Sequence, residues 1–345
     1  MIGWKQGLKS VRERGRRSMK IADMHCDTIM RLYEERKGEY LRENTIHVDL
    51  AKMKSSDYLL QNFAIFVCMD RTENSFETAM QGIDFYYQEL EKNQDLIAPA
   101  INYQEILKNQ AAGKMSAVLT IEEGGVLKGH LEYLRDFYRL GVRMMTLTWN
   151  YENEIGFPNL QWADEKRTVP LMEKRSKKGL TEFGIQVVEE MERIGMIPDV
   201  SHLSDGGFWD VAEHTKKPFA ASHSNAAAVS NVCRNLTDEM TRCLGDRGGI
   251  TGLNLAAEFL KYPVVDDVQE LIEAMAAHVW HIVQIGGVEV CGLGSDLDGI
   301  DTNPAIPDAS YMPRIVEALK KKGLHESEIE KIFFKNVLRI YKEWF

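Results

Sequence analysis

Short apolar runs, each ending in polar residues, recur along the chain, and amphipathic stretches fill the gaps between them. Runs over residues 21–25, 59–68, 116–121, 143–148, 197–200, 218–221, 249–255 and 290–294 read as eight strands. Helical spacing predicts helices over 76–90, 131–140 (closed by Gly141), 181–194 (capped by Thr181, stopped by Gly195), 204–215 and 268–285. Two more, over 311–322 and 326–344, close the chain. Residues 150–179 are charged and interrupted by Gly156, Pro158 and Pro170, which predicts a long loop placed to cover a site.

Strands alternating with helices over residues 21–345, with no linker-like stretch, predict one (β/α)8 barrel, the TIM barrel. A doubly wound open sheet is the alternative, but no glycine fingerprint follows the first strand. No sequence repeat of 20–50 residues and no low-complexity tract interrupts the alternation.

One stretch carries a pattern twice. Residues 197–200 lead into Ser201-His202, and residues 218–221 lead into Ser222-His223. Ser204, Asp205, Phe208, Val211 and Ala212 lie between them with the cap and spacing of a helix. A parallel βαβ unit puts both strand ends at one sheet edge, so the two imidazoles converge there.

Barrel chemistry sits at the C-terminal edge of the strands. Five of the eight strands end in His25 and Asp27, Glu122, His202, His223 and Asp296, three imidazoles and three carboxylates of the kinds that bind zinc-like metals. Strand residues two apart share a face, so His25 and Asp27 point together and Cys26 away. Two ions sharing a bridging carboxylate would use five of the six and leave one for proton transfer. That arrangement hydrolyses amide or ester-like bonds. Any one of these histidines alone reads as an ordinary polar strand cap; the weight rests on all six lying at strand ends. His47, His130, His214, His278, His281 and His325 fall outside the pattern. There is no His-Glu-x-x-His, no phosphate-binding P-loop and no Gly-x-Ser-x-Gly elbow.

Charge narrows the partners. The formal net charge is -10, yet residues 1–20 carry +6, which leaves -16 on the remainder. An acidic body argues against nucleic acid, and the basic start reads as a solvated arm ahead of the catalytic domain. That arm lacks the apolar core of a secretory signal, and no apolar run reaches the length of a membrane span. Five scattered cysteines fit a reduced, cytoplasmic setting.

With these residues in hand, the sequence resembles the membrane dipeptidase (renal dipeptidase) family of zinc peptidases. The matching pieces are Asp23-Met24-His25-Cys26-Asp27, Ile121-Glu122, Val200-Ser201-His202, Ala221-Ser222-His223-Ser224, Arg234-Asn235, Gly294-Ser295-Asp296-Leu297-Asp298-Gly299 and Asn336-Val337-Leu338-Arg339. They follow family order across nearly the whole chain. The resemblance implies two zinc ions, one held by His25 and Asp27, the other by His202 and His223, with Glu122 bridging and Glu123 competing for that place. It implies attack by a metal-bridged hydroxide on a dipeptide, with Asp296 handling the proton and Arg234 binding the substrate's carboxylate. Asp298 reads as structural. Trp149, followed by Asn150, stands where the mammalian-type members have a substrate-binding histidine, so these two are carried over as substrate-binding positions in a bacterial-like branch. A homodimer is compatible with the resemblance. The alternative function is an amidohydrolase acting on a non-peptide amide or lactone, though many of those relatives begin with His-x-His rather than His25-x-Asp27. A non-enzymatic barrel would have to keep the whole ligand set without turnover.

Overall fold

The structure, a computed structural model, describes residues 19–163, 166–167, 171–172 and 175–345. Eight strands run parallel: β1 (Ile21–Asp23), β2 (Tyr58–Phe66), β3 (Met115–Glu122), β4 (Val142–Thr146), β5 (Ile197–Asp199), β6 (Ala220–Ala221), β7 (Ile250–Leu253) and β8 (Cys291–Leu293). Each pairs with the next in chain order, and Asp23 of β1 pairs with Leu293 of β8 to close the ring. The predicted barrel is present, with helices around it. Closure satisfies every strand edge, which an open sheet leaves exposed.

The strands are mostly shorter than their apolar runs, because the polar residues at their ends leave the ladder to form the rim. A further short strand, Ile97–Pro99, was not predicted. It pairs with Met115–Ala117, the part of β3 that β4 does not reach, since β4 joins only from Leu119. The predicted last helix is broken: Glu326–Glu330, a π turn over Lys331–Lys335, then Asn336–Trp344. Asn336 Nδ2 donates to the carbonyls of Val288 and Cys291, both at 2.7 Å, which ties this helix to the start of β8.

That last helix closes the bottom of the barrel. Val337, Ile340, Tyr341 and Trp344 pack with Ala22, Leu60, Val118, Met144, Ile197, Ala220 and Ile250 in one apolar cluster. A second, larger cluster lies between the strands and the surrounding helices. The polar residues that end the strands lie at the opposite rim. Gly294 is required where β8 passes β6, since a Cβ there would collide with the Ser222 carbonyl.

The basic arm lies largely outside the described residues. Its last two residues are described: Met19 packs on the core and Lys20 pairs with Asp57. Among the described residues, no helix is long and apolar enough to cross a membrane.

Candidate metal centre

Both oxygens of Glu122 face histidines. Oε2 is 3.3 Å from His25 Nε2, and Oε1 is 3.0 Å from His202 Nε2 and 3.6 Å from His223 Nε2. The His25 and His223 rings stack at 3.8 Å. Beyond His25 lie Asp27 Oδ2 at 3.5 Å and Asp296 Oδ1 at 3.9 Å from its Nε2. The six residues read from the strand ends thus converge at one rim position. Cys26, as the alternation predicts, points away and donates to the Asn62 carbonyl.

Glu122 ends β3, whereas Glu123 turns aside at φ +91° and accepts from the backbone N–H groups of Gly125 and Trp149. The backbone therefore sends one carboxylate to the histidines and the other to a neighbouring loop. His202 and Asp296 also sit at positive φ, 70° and 62°. Such backbone costs on the order of 1–3 kcal/mol per residue and clusters at functional sites. Gly299 lets the rim close tightly, since a Cβ there would strike the Asp27 carboxylate.

The Nδ1 atoms of His202 and His223 have partners. His202 Nδ1 faces Asn150 Oδ1 at 2.8 Å, and His223 Nδ1 faces Ser222 Oγ at 2.6 Å. With Nδ1 as donor in each ring, both Nε2 lone pairs point into the cluster. Asn150, carried over as a substrate-binding position, is buried and stands against His202. Trp149 is partly exposed at the rim, its ring 6.0 Å from that of His202.

Charge and burial conflict here. Burial pushes Glu122 up to about 8, with the Asp27 charge adding to it. Burial likewise pushes Asp296 up to about 7. Burial lowers His202 and His223 well below the usual imidazole range, so both rest neutral, the form that ligates. Burial also disfavours charge on His25, but the Glu122 and Asp27 carboxylates outweigh it and raise its pKa well above the usual value. The cluster draws in positive charge. His25 Nε2 and Asp27 Oδ1 are buried without a hydrogen-bond partner, and buried polar atoms are rarely left so. Two donor groups, His25–Glu122–His223 and His25–Asp27–Asp296, each have ligand atoms within 4.8 Å of one another. The donor set fits divalent metal ions.

Arg234 sits beside this cluster, 4% exposed. It donates to Ser224 Oγ at 2.7 Å and to the His223 carbonyl at 3.1 Å, and its Nε has no partner. Asp296 Oδ2 accepts from Asn254 Nδ2 at 2.8 Å, which leaves Oδ1 on the His25 side. The 150–179 segment is held down where it is described. Trp162 N–H donates to the Asn150 carbonyl, Asn159 N–H to that of His202, and Cys233 N–H to that of Leu171.

The motif reading missed two buried supports. Asp199 accepts from the N–H groups of Ser201 and Ser222 at 2.9 and 2.8 Å, and from Ser222 Oγ at 2.5 Å. Asp23 repeats the device with the N–H groups of His25 and Ser295 at 3.3 and 2.8 Å, and Ser295 Oγ at 2.5 Å. The signal available was an Asp two residues before His25 and another two before Ser201, each with a serine at a neighbouring strand end.

An eight-stranded parallel barrel with imidazole and carboxylate donors gathered at its C-terminal rim defines the class: a TIM-barrel metallohydrolase. The family model described as membrane dipeptidase (Peptidase family M19) matches residues 12–344. The chain belongs to that family and is a metallo-dipeptidase by type. It is 30% identical over 344 residues to an uncharacterised dipeptidase of Schizosaccharomyces pombe, covering 94% of this chain and 80% of the relative. It is 31% identical over 268 residues to an uncharacterised protein from the pqqA 5′ region of Klebsiella pneumoniae, covering 75% of this chain and 96% of the relative. Among solved structures, the family M19 metallopeptidase called dipeptidase AC superposes with a TM-score of 0.86 at 26% identity, covering 95% of this chain and 99% of the other. A Rhodobacter sphaeroides metallopeptidase, liganded with a phosphinate mimic of the dipeptide L-Ala-D-Ala, shares the fold at a TM-score of 0.84 and 24% identity, covering 95% and 100%.

Proposed function

We propose that the protein is a binuclear zinc dipeptidase. His25 and Asp27 would hold one ion, His202 and His223 the other, and Glu122 would serve both. The observation that carries this is the pair of orphaned buried donors, His25 Nε2 and Asp27 Oδ1, within a cluster of facing ligand atoms. Ions bound there would polarise the scissile carbonyl and lower the pKa of a shared water.

The chain's own groups do the rest. Asp296 Oδ1 takes the water's proton and delivers it to the leaving amine, while Asn254 keeps the other oxygen occupied. Arg234 binds the substrate's C-terminal carboxylate with its planar fork, which restricts the enzyme to short peptides. Asn150 and Ser222 hold the ring tautomers. The five cysteines are unpaired, which fits a reducing cytoplasm.

Protein purified in zinc should carry close to two ions per chain and hydrolyse members of a dipeptide panel. Stripping with a chelator should abolish turnover and zinc should restore it. Equal turnover by metal-free protein refutes the reading, and turnover of cyclic amides or lactones alone would favour the amidohydrolase instead.

Ser222→Ala is a narrower test. Asp199 holds the Ser222 hydroxyl, and that hydroxyl orients His223. Losing such a support costs about 10–100-fold in metal affinity. Competition with a fluorescent chelator should show one site weakened by that factor and the other unchanged.

A further inference from the structure

We propose that an aromatic wall on one side of the rim receives the side chain of the substrate's amino-terminal residue, selecting dipeptides that begin with a bulky apolar or aromatic residue. The proposal rests on the dipeptidase reading and adds to it a substrate class. Trp149 is the centre of the wall. Its ring lies 5.0 Å from Phe66, 5.1 Å from Tyr151 and 5.5 Å from Trp162, and 6.0 Å from the His202 ring. Tyr151 is buried, but Phe66, Trp149 and Trp162 each keep part of their surface open. Three half-covered aromatic rings grouped beside buried metal-binding groups are unusual for a surface that only faces water.

The wall is held rigidly and aimed at the site. Phe66 is the register partner of Glu122, so both side chains leave the sheet on the same side. Glu123 fastens the other half: its carboxylate accepts from Trp149 N–H at 2.8 Å and from Asn153 Nδ2 at 2.6 Å. The Trp162 N–H is bonded to the Asn150 carbonyl at 2.8 Å, which brings the second indole onto the first. A wall held in this way loses little entropy when a ligand covers it.

Its position decides which end of the substrate it meets. Phe66 ends β2 and Trp149 follows β4, whereas Arg234 lies in the connection from β6 to β7. Around a ring of eight strands Phe66 is about four strands from Arg234 and Trp149 between two and three, so the wall and the guanidinium stand on different sides of the rim that holds the ligand cluster. A dipeptide whose carboxylate is held at Arg234 and whose peptide carbonyl lies over the cluster directs its first residue toward the rings. Covering one large apolar side chain accounts for about a 10–100-fold preference over alanine.

The test compares kcat/KM for Ala-Ala, Phe-Ala, Leu-Ala and Ala-Phe in zinc-loaded protein. Wild type should favour Phe-Ala and Leu-Ala over Ala-Ala by about tenfold or more, with no such gain for Ala-Phe. Trp149→Ala should shrink the Phe-Ala to Ala-Ala ratio at least fivefold, and Trp149→Phe should keep most of it. Phe66→Ala, on a different strand, should lower the same ratio. No preference in wild type overturns the proposal. So does an equal loss on Phe-Ala and Ala-Ala in the variants, which would place the indole over the reacting carbonyl or the common ammonium group. Absence of turnover on all four peptides would instead count against the dipeptidase reading, so the two failures are distinct.

Discussion

Replacing Glu122 by glutamine is expected to remove most bound metal and to lower kcat/KM by about 10³-fold or more. Carbonyl polarisation by a metal is worth several kcal/mol, and each 1.4 kcal/mol is a factor of ten. Glu122 has this leverage because its two oxygens face both halves of the cluster, at 3.3 Å from His25 and 3.0 Å from His202. Glutamine keeps the shape but not the charge, so the effect separates ligation from packing. Burial of the carboxylate opposes its ionisation, and the charge is therefore no asset to the metal-free fold. Stripped wild type and stripped Glu122→Gln should melt within a few degrees of one another. Only wild type should then gain stability on adding zinc, as linkage requires of a ligand that binds the native state. Elemental analysis, steady-state kinetics and thermal melts check the three parts, and full metal occupancy in the variant would remove Glu122 from the centre.

Arg234→Ala should have the second largest effect, through substrate rather than metal. A buried guanidinium paired with a carboxylate is worth about 2–5 kcal/mol when one partner is removed, so kcat/KM on free dipeptides should fall about 10²–10³-fold. Dipeptide amides lack the carboxylate and should lose far less. Arg234 also donates to the His223 carbonyl and Ser224, so metal content is the necessary control and should stay near the wild-type value. Lysine at this position should restore little, since an ammonium group cannot reproduce the planar fork. Equal losses on acids and amides would refute the role.

How far these residues could be read beforehand differs from one to the next. The convergence of His25, Asp27, His202, His223 and Asp296 was legible because each lies at or just past the end of an apolar run, and a parallel barrel brings all such ends to one rim. The helix over Asp205–His214 was legible because Ser204 caps it, accepting from the Gly207 N–H. The break at Lys331–Lys335 was not, because its apolar spacing reads through as one helix. The short strand at Ile97–Pro99 exists to occupy an edge of β3 and has no pattern of its own. Asn150 and Trp149 are adjacent in sequence yet face different partners, one behind His202 and the other among three aromatic rings.

The amino-acid sequence by itself determined the alternation of strand and helix, the closed barrel and the residue types at its rim. These follow from local periodicity and from the rule that parallel strands deliver their ends to one edge. The tertiary structure decided what local pattern does not contain. It turned Glu122 inward and Glu123 to the neighbouring loop, because one residue at φ +91° rotates the chain between them. It backed His223 with Ser222 and Asp199, and it left His25 Nε2 and Asp27 Oδ1 buried without a hydrogen-bond partner. Those are relations between groups on separate strands, and only the closed ring sets their distances.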